Sequence, residues 1–152
     1  MPRMSQYFIR TALLSLALGS TIGGLMLAAK GIGQPAWIWA WRGGHVQLLL
    51  IGWLVQLACG VAIWILPRFD AAGDRGNARW GWLAYGALNS GVAMASLHAP
   101  LAGLVGSDGV RWMPVTAGVL YAVAGSVLAV TLWRRVLPFR TLPRRSEQEG
   151  AN

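Results

Sequence analysis

Four long apolar runs constrain the fold of this chain more than any other feature of its sequence. They cover about residues 8–29, 45–66, 80–101 and 113–133. Each is long enough to cross a bilayer as a helix, for which about 20 residues are needed. Because backbone N–H and C=O groups inside lipid must be paired within the segment, each run is predicted to be helical. The sequence therefore predicts an all-α, four-helix transmembrane bundle.

Composition excludes a soluble enzyme and two common kinds of small scaffold. Hydrophobic residues make up 55% of the chain and charged residues only 12%, against roughly a quarter charged in ordinary soluble domains. Nine Trp and 20 Gly are typical of membrane helices and their interfaces. Cys59 is the single cysteine, which excludes an intrachain disulfide framework and a zinc cluster.

The basic residues predict the orientation of the bundle. Of the 13 Lys and Arg residues, only Lys30, Arg42 and Arg111 lie on the side opposite the termini. The others flank the apolar runs on the side of the termini or lie in the tail, so both termini are predicted to be cytoplasmic in the inner (plasma) membrane. This distribution explains the net charge of +8 without a nucleic-acid partner. Residues 1–137 form the predicted membrane domain, and residues 138–152 a basic, disordered cytoplasmic tail.

The chain contains two histidines, and the predicted helices bring them to one depth. His45 begins the second helix at the outer face. His98 lies near the end of the third, roughly 27 Å above Trp80 at 1.5 Å per residue, close to the outer boundary of the hydrocarbon core. Gly52 shares the helical face of His45, and Gly91 that of His98. Two imidazoles with small residues beside them predict a haem b site between facing helices.

Charged residues at the same face suit the propionates of such a cofactor. Arg42 precedes His45 by three residues and Arg111 begins the fourth helix, and guanidinium groups pair well with carboxylates. Copper is a second option, ranked below haem, with Met94 one turn before His98. An alternative interpretation stays open. In it the histidines and arginines lie at the interface and contact backbone or lipid, and the glycines only pack the bundle.

The second run also resembles a known family. It reads HVQLLLIGW from His45 to Trp53 and ends in ILPR at residues 65–68. This is similar to the second membrane helix of the haem–copper oxidase catalytic-subunit superfamily, especially its nitric oxide reductase and C-family oxidase branches. The Gly23–Gly24 pair and the LNSG sequence at residues 88–91 fit the same pattern, and the resemblance covers about residues 10–105.

The resemblance implies a role for one histidine alone. The histidine of that family's second helix is an axial ligand of the low-spin haem, and this role falls on His45. The family's second axial ligand, its copper ligands and its active-site haem ligand lie on later helices that this sequence does not contain. Reduction of oxygen or nitric oxide by this chain is therefore not expected. The second ligand is then either His98 or His45 of another copy in a two-fold dimer.

These observations predict a membrane protein that binds b-type haem and transfers single electrons near the outer (periplasmic) face. Expected partners are the lipid bilayer, a second copy or a larger membrane complex, and a periplasmic electron-transfer protein. The alternative function is that of a cofactor-free structural or assembly subunit of a larger respiratory or photosynthetic complex. No catalytic residue is predicted, since the sequence shows no acid pair within a span, no nucleophile–base arrangement and no phosphate-binding loop.

Overall fold

A computed structural model describes residues 1–33, 36–66 and 78–136 of the chain. Within these ranges the backbone is helical and contains no strand. Four segments are long and apolar enough to cross a membrane, and they are called the first to fourth spans: Arg3–Ile32, Trp37–Ile65, Ala78–Val105 and Ser107–Trp133. The predicted all-α architecture with four candidate spans is confirmed. The predicted cytoplasmic tail, residues 138–152, lies outside the described residues.

Two of the spans are interrupted and two are continuous or nearly so. The first is a single helix, α1 (Arg3–Ile32), and the third is α4 (Ala78–Val105). The fourth has a short helix, α5 (Ser107–Val110), before α6 (Trp112–Val136). The second span contains four consecutive segments, which are a 3-10 helix at Ala36–Trp41, α2 at Arg42–Gln47, a π-helix at Leu48–Val55 and α3 at Gln56–Ile65. The helices extend a few residues beyond most of the predicted apolar runs.

Three helix ends follow directly from local sequence. Gly33 takes a left-handed conformation (φ 70°) after α1, and its N–H donates to the Ala29 carbonyl, as at many helix ends that stop at glycine. Leu66 is extended (ψ 143°) after α3, because it precedes Pro67, whose ring disfavours helical geometry in the preceding residue. Gly106, with φ 87°, separates α4 from α5.

The surface of the bundle is rich in large apolar side chains. In the most apolar windows of the four spans only 17–28% of residues are buried. Large side chains such as Leu27, Val115 and Val130 are between 64% and 72% exposed. Buried positions include small or polar residues such as Ala12 and Ser15. This arrangement suits contact with lipid, since apolar surface of this extent would not remain exposed to water.

The spans pack as two helix pairs joined at both ends. The first packs along the second, and the third along the fourth. At the end where α1 begins and α6 ends, called the termini end, the rings of Tyr7, Phe8, Trp82 and Tyr85 meet edge to face with centroids 5.2–6.3 Å apart. Such aromatic contacts add stability beyond the buried area alone, and here they join the first span to the third.

At the opposite end, called the histidine end, the second and third spans approach through their backbones. A Cβ atom added at Gly44 would lie 2.6 Å from the carbonyl oxygen of Ser96. Pro100 lies within α4 and has no N–H to donate to that carbonyl, four residues earlier. The backbone of Gly44 therefore covers a carbonyl that the helix itself leaves without its usual donor.

Substitution of Gly44 is expected to destabilise the bundle, whereas substitution of its neighbour is not. In Gly44→Ala the new methyl group meets main chain that cannot rotate away, so we expect a loss of about 1–3 kcal/mol of unfolding free energy. The matched control is Gly43→Ala, because nothing lies within 4 Å of an added Cβ there and alanine favours a helix. Thermal unfolding in detergent compares the two, and equal midpoints would contradict the proposed contact.

Candidate functional site

The imidazole of His45 lies against the first span, half-buried at the histidine end. Its Nδ1 atom is 2.8 Å from the carbonyl oxygen of Gly19. A carbonyl oxygen can only accept a hydrogen bond, so Nδ1 carries a proton, and in the neutral ring Nε2 then has the lone pair. The contact therefore fixes the tautomer of the ring.

Glycines of the first span make room for this ring. A Cβ atom added at Gly23 would lie 2.5 Å from Cε1 of His45, and one added at Gly19 would lie 2.7 Å from Cδ2 of Leu49. The G-x-x-x-G sequence of the first helix thus accommodates side chains of the second, as small residues do in other membrane bundles. By contrast, nothing lies within 4 Å of an added Cβ at Gly24.

The donor arrangement at His45 fits an axial ligand. Histidines that bind metals commonly donate their second ring N–H to a backbone carbonyl, which orients the ring and strengthens the ligating nitrogen. Here the Gly19 carbonyl takes that role. Among the described residues Nε2 of His45 forms no hydrogen bond, so no protein group competes with a metal for its lone pair.

His98 lies at a similar level but in different surroundings. It lines a cavity of about 320 Å³. The other lining residues come from the second, third and fourth spans: Gln47, Ala95, Pro114, Ala117, Gly118 and Tyr121. His45 is not among them. The close approach of Gly44 and Ser96 accounts for the common level, since these residues nearly adjoin the two histidines in sequence.

The two glycines expected to give a cofactor clearance are already covered by protein. A Cβ at Gly52 would lie 2.8 Å from Oγ of Ser15 and 3.2 Å from Cγ1 of Val92. A Cβ at Gly91 would lie 2.7 Å from Cε1 of Tyr121. Both glycines therefore serve close packing of the spans in this structure, and the space beside them is filled.

The arginines expected to pair with propionates lie on the surface of the histidine end. Arg42 is exposed. Arg111 forms an ion pair with Asp108 at 3.6 Å, with both side chains more than three-quarters exposed. Because ion pairs of this exposure contribute little stability, Arg111 can exchange Asp108 for another carboxylate at low cost.

A polar network through the middle of the bundle was not foreseen from the sequence. Gln56 is 0% exposed, and its amide nitrogen contacts the Phe8 carbonyl at 3.4 Å, Oδ1 of Asn89 at 3.3 Å and the hydroxyl of Thr11. Asn89 in turn donates to the Tyr85 carbonyl at 2.8 Å. The network links three spans by hydrogen bonds that lipid cannot replace. The isolated polar residues within the apolar runs were the available signal.

A metal site built only from protein side chains finds little support. In the part of the chain that the structure describes, no three His, Cys, Asp or Glu side chains gather closely enough to hold an ion. Copper, the alternative metal, would depend on His98 and the half-buried Met94, which is a sparse ligand set. An iron carried by a porphyrin needs only one or two protein ligands.

Protein-family models, characterised proteins and solved structures all fail to match this chain. Its function must therefore be inferred from its own residues and their geometry.

Substitution of Gly23 is expected to release the His45 ring. In Gly23→Ala the added methyl group would lie 2.5 Å from Cε1, which is too close, so the ring must move and the hydrogen bond to Gly19 is lost. Since interhelical hydrogen bonds in membranes contribute about 0.6 kcal/mol, the modification rate of His45 by diethylpyrocarbonate should rise about threefold. Peptide mass spectrometry follows this rate, with His98 as internal reference. Gly24→Ala is the control and should leave the rate unchanged; a similar rise there would contradict the close contact between the His45 ring and Gly23.

Proposed function

We propose that this chain is an integral protein of the inner (plasma) membrane that binds b-type haem through His45 and transfers single electrons near the outer, periplasmic face. The observation that carries the proposal is the His45 imidazole, whose Nδ1–H donates to Gly19 and whose Nε2 lone pair is thereby available. The resemblance of residues 45–68 to the second helix of the haem–copper oxidase subunits assigns the same role to this histidine.

The residues around His45 orient and strengthen the ligand. The Gly19 carbonyl holds the Nδ1 proton, which raises the basicity of Nε2. The absence of a side chain at Gly23 lets the ring approach the first span closely. A haem held by two imidazoles supplies reversible one-electron transfer and excludes small ligands from the iron. Reduction of oxygen or nitric oxide is not proposed, since the resemblance provides only the low-spin haem ligand.

The second axial ligand is proposed to be His45 of a second copy. The alternative is His98 of the same chain. Packing between the second and third spans supports the first arrangement, because Gly44 lies against Ser96 and Gly52 is covered by Ser15 and Val92, which leaves little room for a macrocycle there. Next to His45, Val46 and Leu50 are about half exposed and offer an apolar surface for a two-fold partner.

Charge supports the proposed orientation and partners. Among the described residues, Arg3, Arg10 and Arg79 lie at or near the termini end, and Lys30, Arg42 and Arg111 at the histidine end. Arg134 and Arg135, at the end of α6, add to the first group, and this excess of basic residues favours a cytoplasmic location for both termini. The exposed Arg42 and Arg111 then suit haem propionates, or the acidic surface of a periplasmic electron-transfer protein.

A cofactor-free subunit of a larger respiratory or photosynthetic complex is the second candidate. The observation that favours it is the covering of Gly52 and Gly91 by neighbouring side chains, which gives both glycines a packing role without any cofactor. The exposed apolar side chains of all four spans would then contact a larger partner as well as lipid.

An absorption spectrum of the purified protein tests the proposal. Reduced-minus-oxidised spectra of protein from haem-replete membranes should show b-type bands, and a pyridine haemochrome assay should give half a haem per chain if two copies of His45 share one iron. His45→Ala should abolish the bands, Gly23→Ala should weaken them by displacing the ring, and Gly24→Ala should retain them.

Two results would contradict the proposal. A normal spectrum in His45→Ala would exclude this histidine as the ligand, and colourless wild-type protein would favour the structural subunit. One haem per chain, lost in His98→Ala, would support the intramolecular arrangement over the dimer.

A further inference from the structure

The cavity beside His98 brings together three polar side chains from three spans. Gln47 belongs to the second, His98 to the third and Tyr121 to the fourth, around a space of about 320 Å³. The remaining lining is small and apolar and includes Pro114 and Gly118. These two residues are exposed on the side of the bundle, so the cavity opens towards the lipid at the histidine end. It is called the lateral cleft.

Hydrogen bonding within the lateral cleft leaves donor groups available. The Tyr121 hydroxyl donates to Oε1 of Gln47 at 3.0 Å. That contact orients the Gln47 amide, whose Nε2 group then has two N–H donors directed away from Tyr121. The His98 ring forms no hydrogen bond within the described residues, and a neutral imidazole can donate from one nitrogen and accept at the other.

Packing keeps the lateral cleft open. The Tyr121 ring is held against Gly91, where an added Cβ would lie 2.7 Å from Cε1. Nothing lies within 4 Å of an added Cβ at Gly118, so the absence of a side chain there leaves space beside the ring. The cleft thus depends on two glycines. Gly91 allows close contact with the Tyr121 ring, and Gly118 leaves the space beside that ring empty.

We propose that the lateral cleft binds the head ring of a lipid-soluble quinone. A ring carbonyl accepts hydrogen bonds from Gln47 Nε2 and from the His98 ring, and the hydroxyl of the reduced form can donate to the same imidazole. A volume of about 320 Å³ is at the lower end of the range for small-molecule sites, which suits one planar ring whose tail remains in the lipid. The site is independent of the haem proposal, and it assigns His98 a role other than iron ligation.

A phospholipid ester carbonyl offers the same acceptor chemistry at this depth, so the test must separate the two sources. The protein is placed in nanodiscs of synthetic phosphatidylcholine without quinone and titrated calorimetrically with ubiquinone-1 and with a menaquinone-1 analogue. Saturable binding of at least one ring is expected. His98→Ala and Gln47→Leu should each raise Kd about five- to tenfold, as expected for loss of one net hydrogen bond, and His98→Gln should recover part of the affinity.

A pair of glycine variants supplies the matched control. Gly118→Leu fills the lateral cleft and should abolish binding. Gly125→Leu introduces the same side chain seven residues later on α6, where nothing lies within 4 Å of an added Cβ and where the residue does not line the cleft. Binding should therefore persist in Gly125→Leu. Thermal unfolding of both variants separates a lost site from a lost fold.

Three outcomes would overturn the proposal. Equal affinity in Gly118→Leu and wild type would place the ring elsewhere, and so would unchanged affinity in both His98→Ala and Gln47→Leu. Tighter quinone binding in nanodiscs of ether-linked phosphatidylcholine, which has no ester carbonyl, than in nanodiscs of the ester-linked lipid would identify a lipid site instead. Because the readout is heat of quinone binding and not haem absorbance, failure of this proposal and failure of the haem proposal are separately visible.

Discussion

The pairing of backbone polar groups within lipid is the constraint on which this structure depends. It forces each apolar run into a helix, and it leaves helix association to close packing and hydrogen bonds, since lipid is as apolar as leucine. The contacts between spans follow this rule. The Ser5 hydroxyl donates to the Gly60 carbonyl at 2.6 Å, and Gly44 covers the Ser96 carbonyl that Pro100 leaves without its donor. Glycine and small polar residues thus define where two spans can touch.

His45 belongs to the same system of contacts. Interhelical hydrogen bonds in membranes average only about 0.6 kcal/mol, so the bond to Gly19 does not hold the ring without help. Because Gly23 has no side chain, there is space for the ring, and the hydrogen bond to the Gly19 carbonyl orients the ring. A ring held in this way has one nitrogen committed to the bundle and the other available for a ligand, which connects packing to the proposed chemistry.

The sequence predicted the spans and the common level of the histidines, because both follow from apolar length and from a fixed rise per residue. It did not predict the neighbours of those histidines. The partners of Gln56 and the surroundings of His98 depend on which faces of distant helices meet. Likewise, the side chain that packs against Gly91 is Tyr121, which lies on another span. The π-helix at Leu48–Val55 was also missed, since a run of leucine and isoleucine carries no local signal for wider turns.

The position of α2 explains how one short helix can contribute to both proposed sites. His45 contacts the first span, whereas Gln47, two residues later, accepts a hydrogen bond from Tyr121 of the fourth. Gly44 fixes the same helix against the third span. π-helical turns occur often beside functional sites, and here one begins directly after Gln47. The widened turn lies between the two proposed sites at the histidine end and the polar network at Gln56. The contacts of Gly44 can therefore position α2 while those of Gln56 position α3.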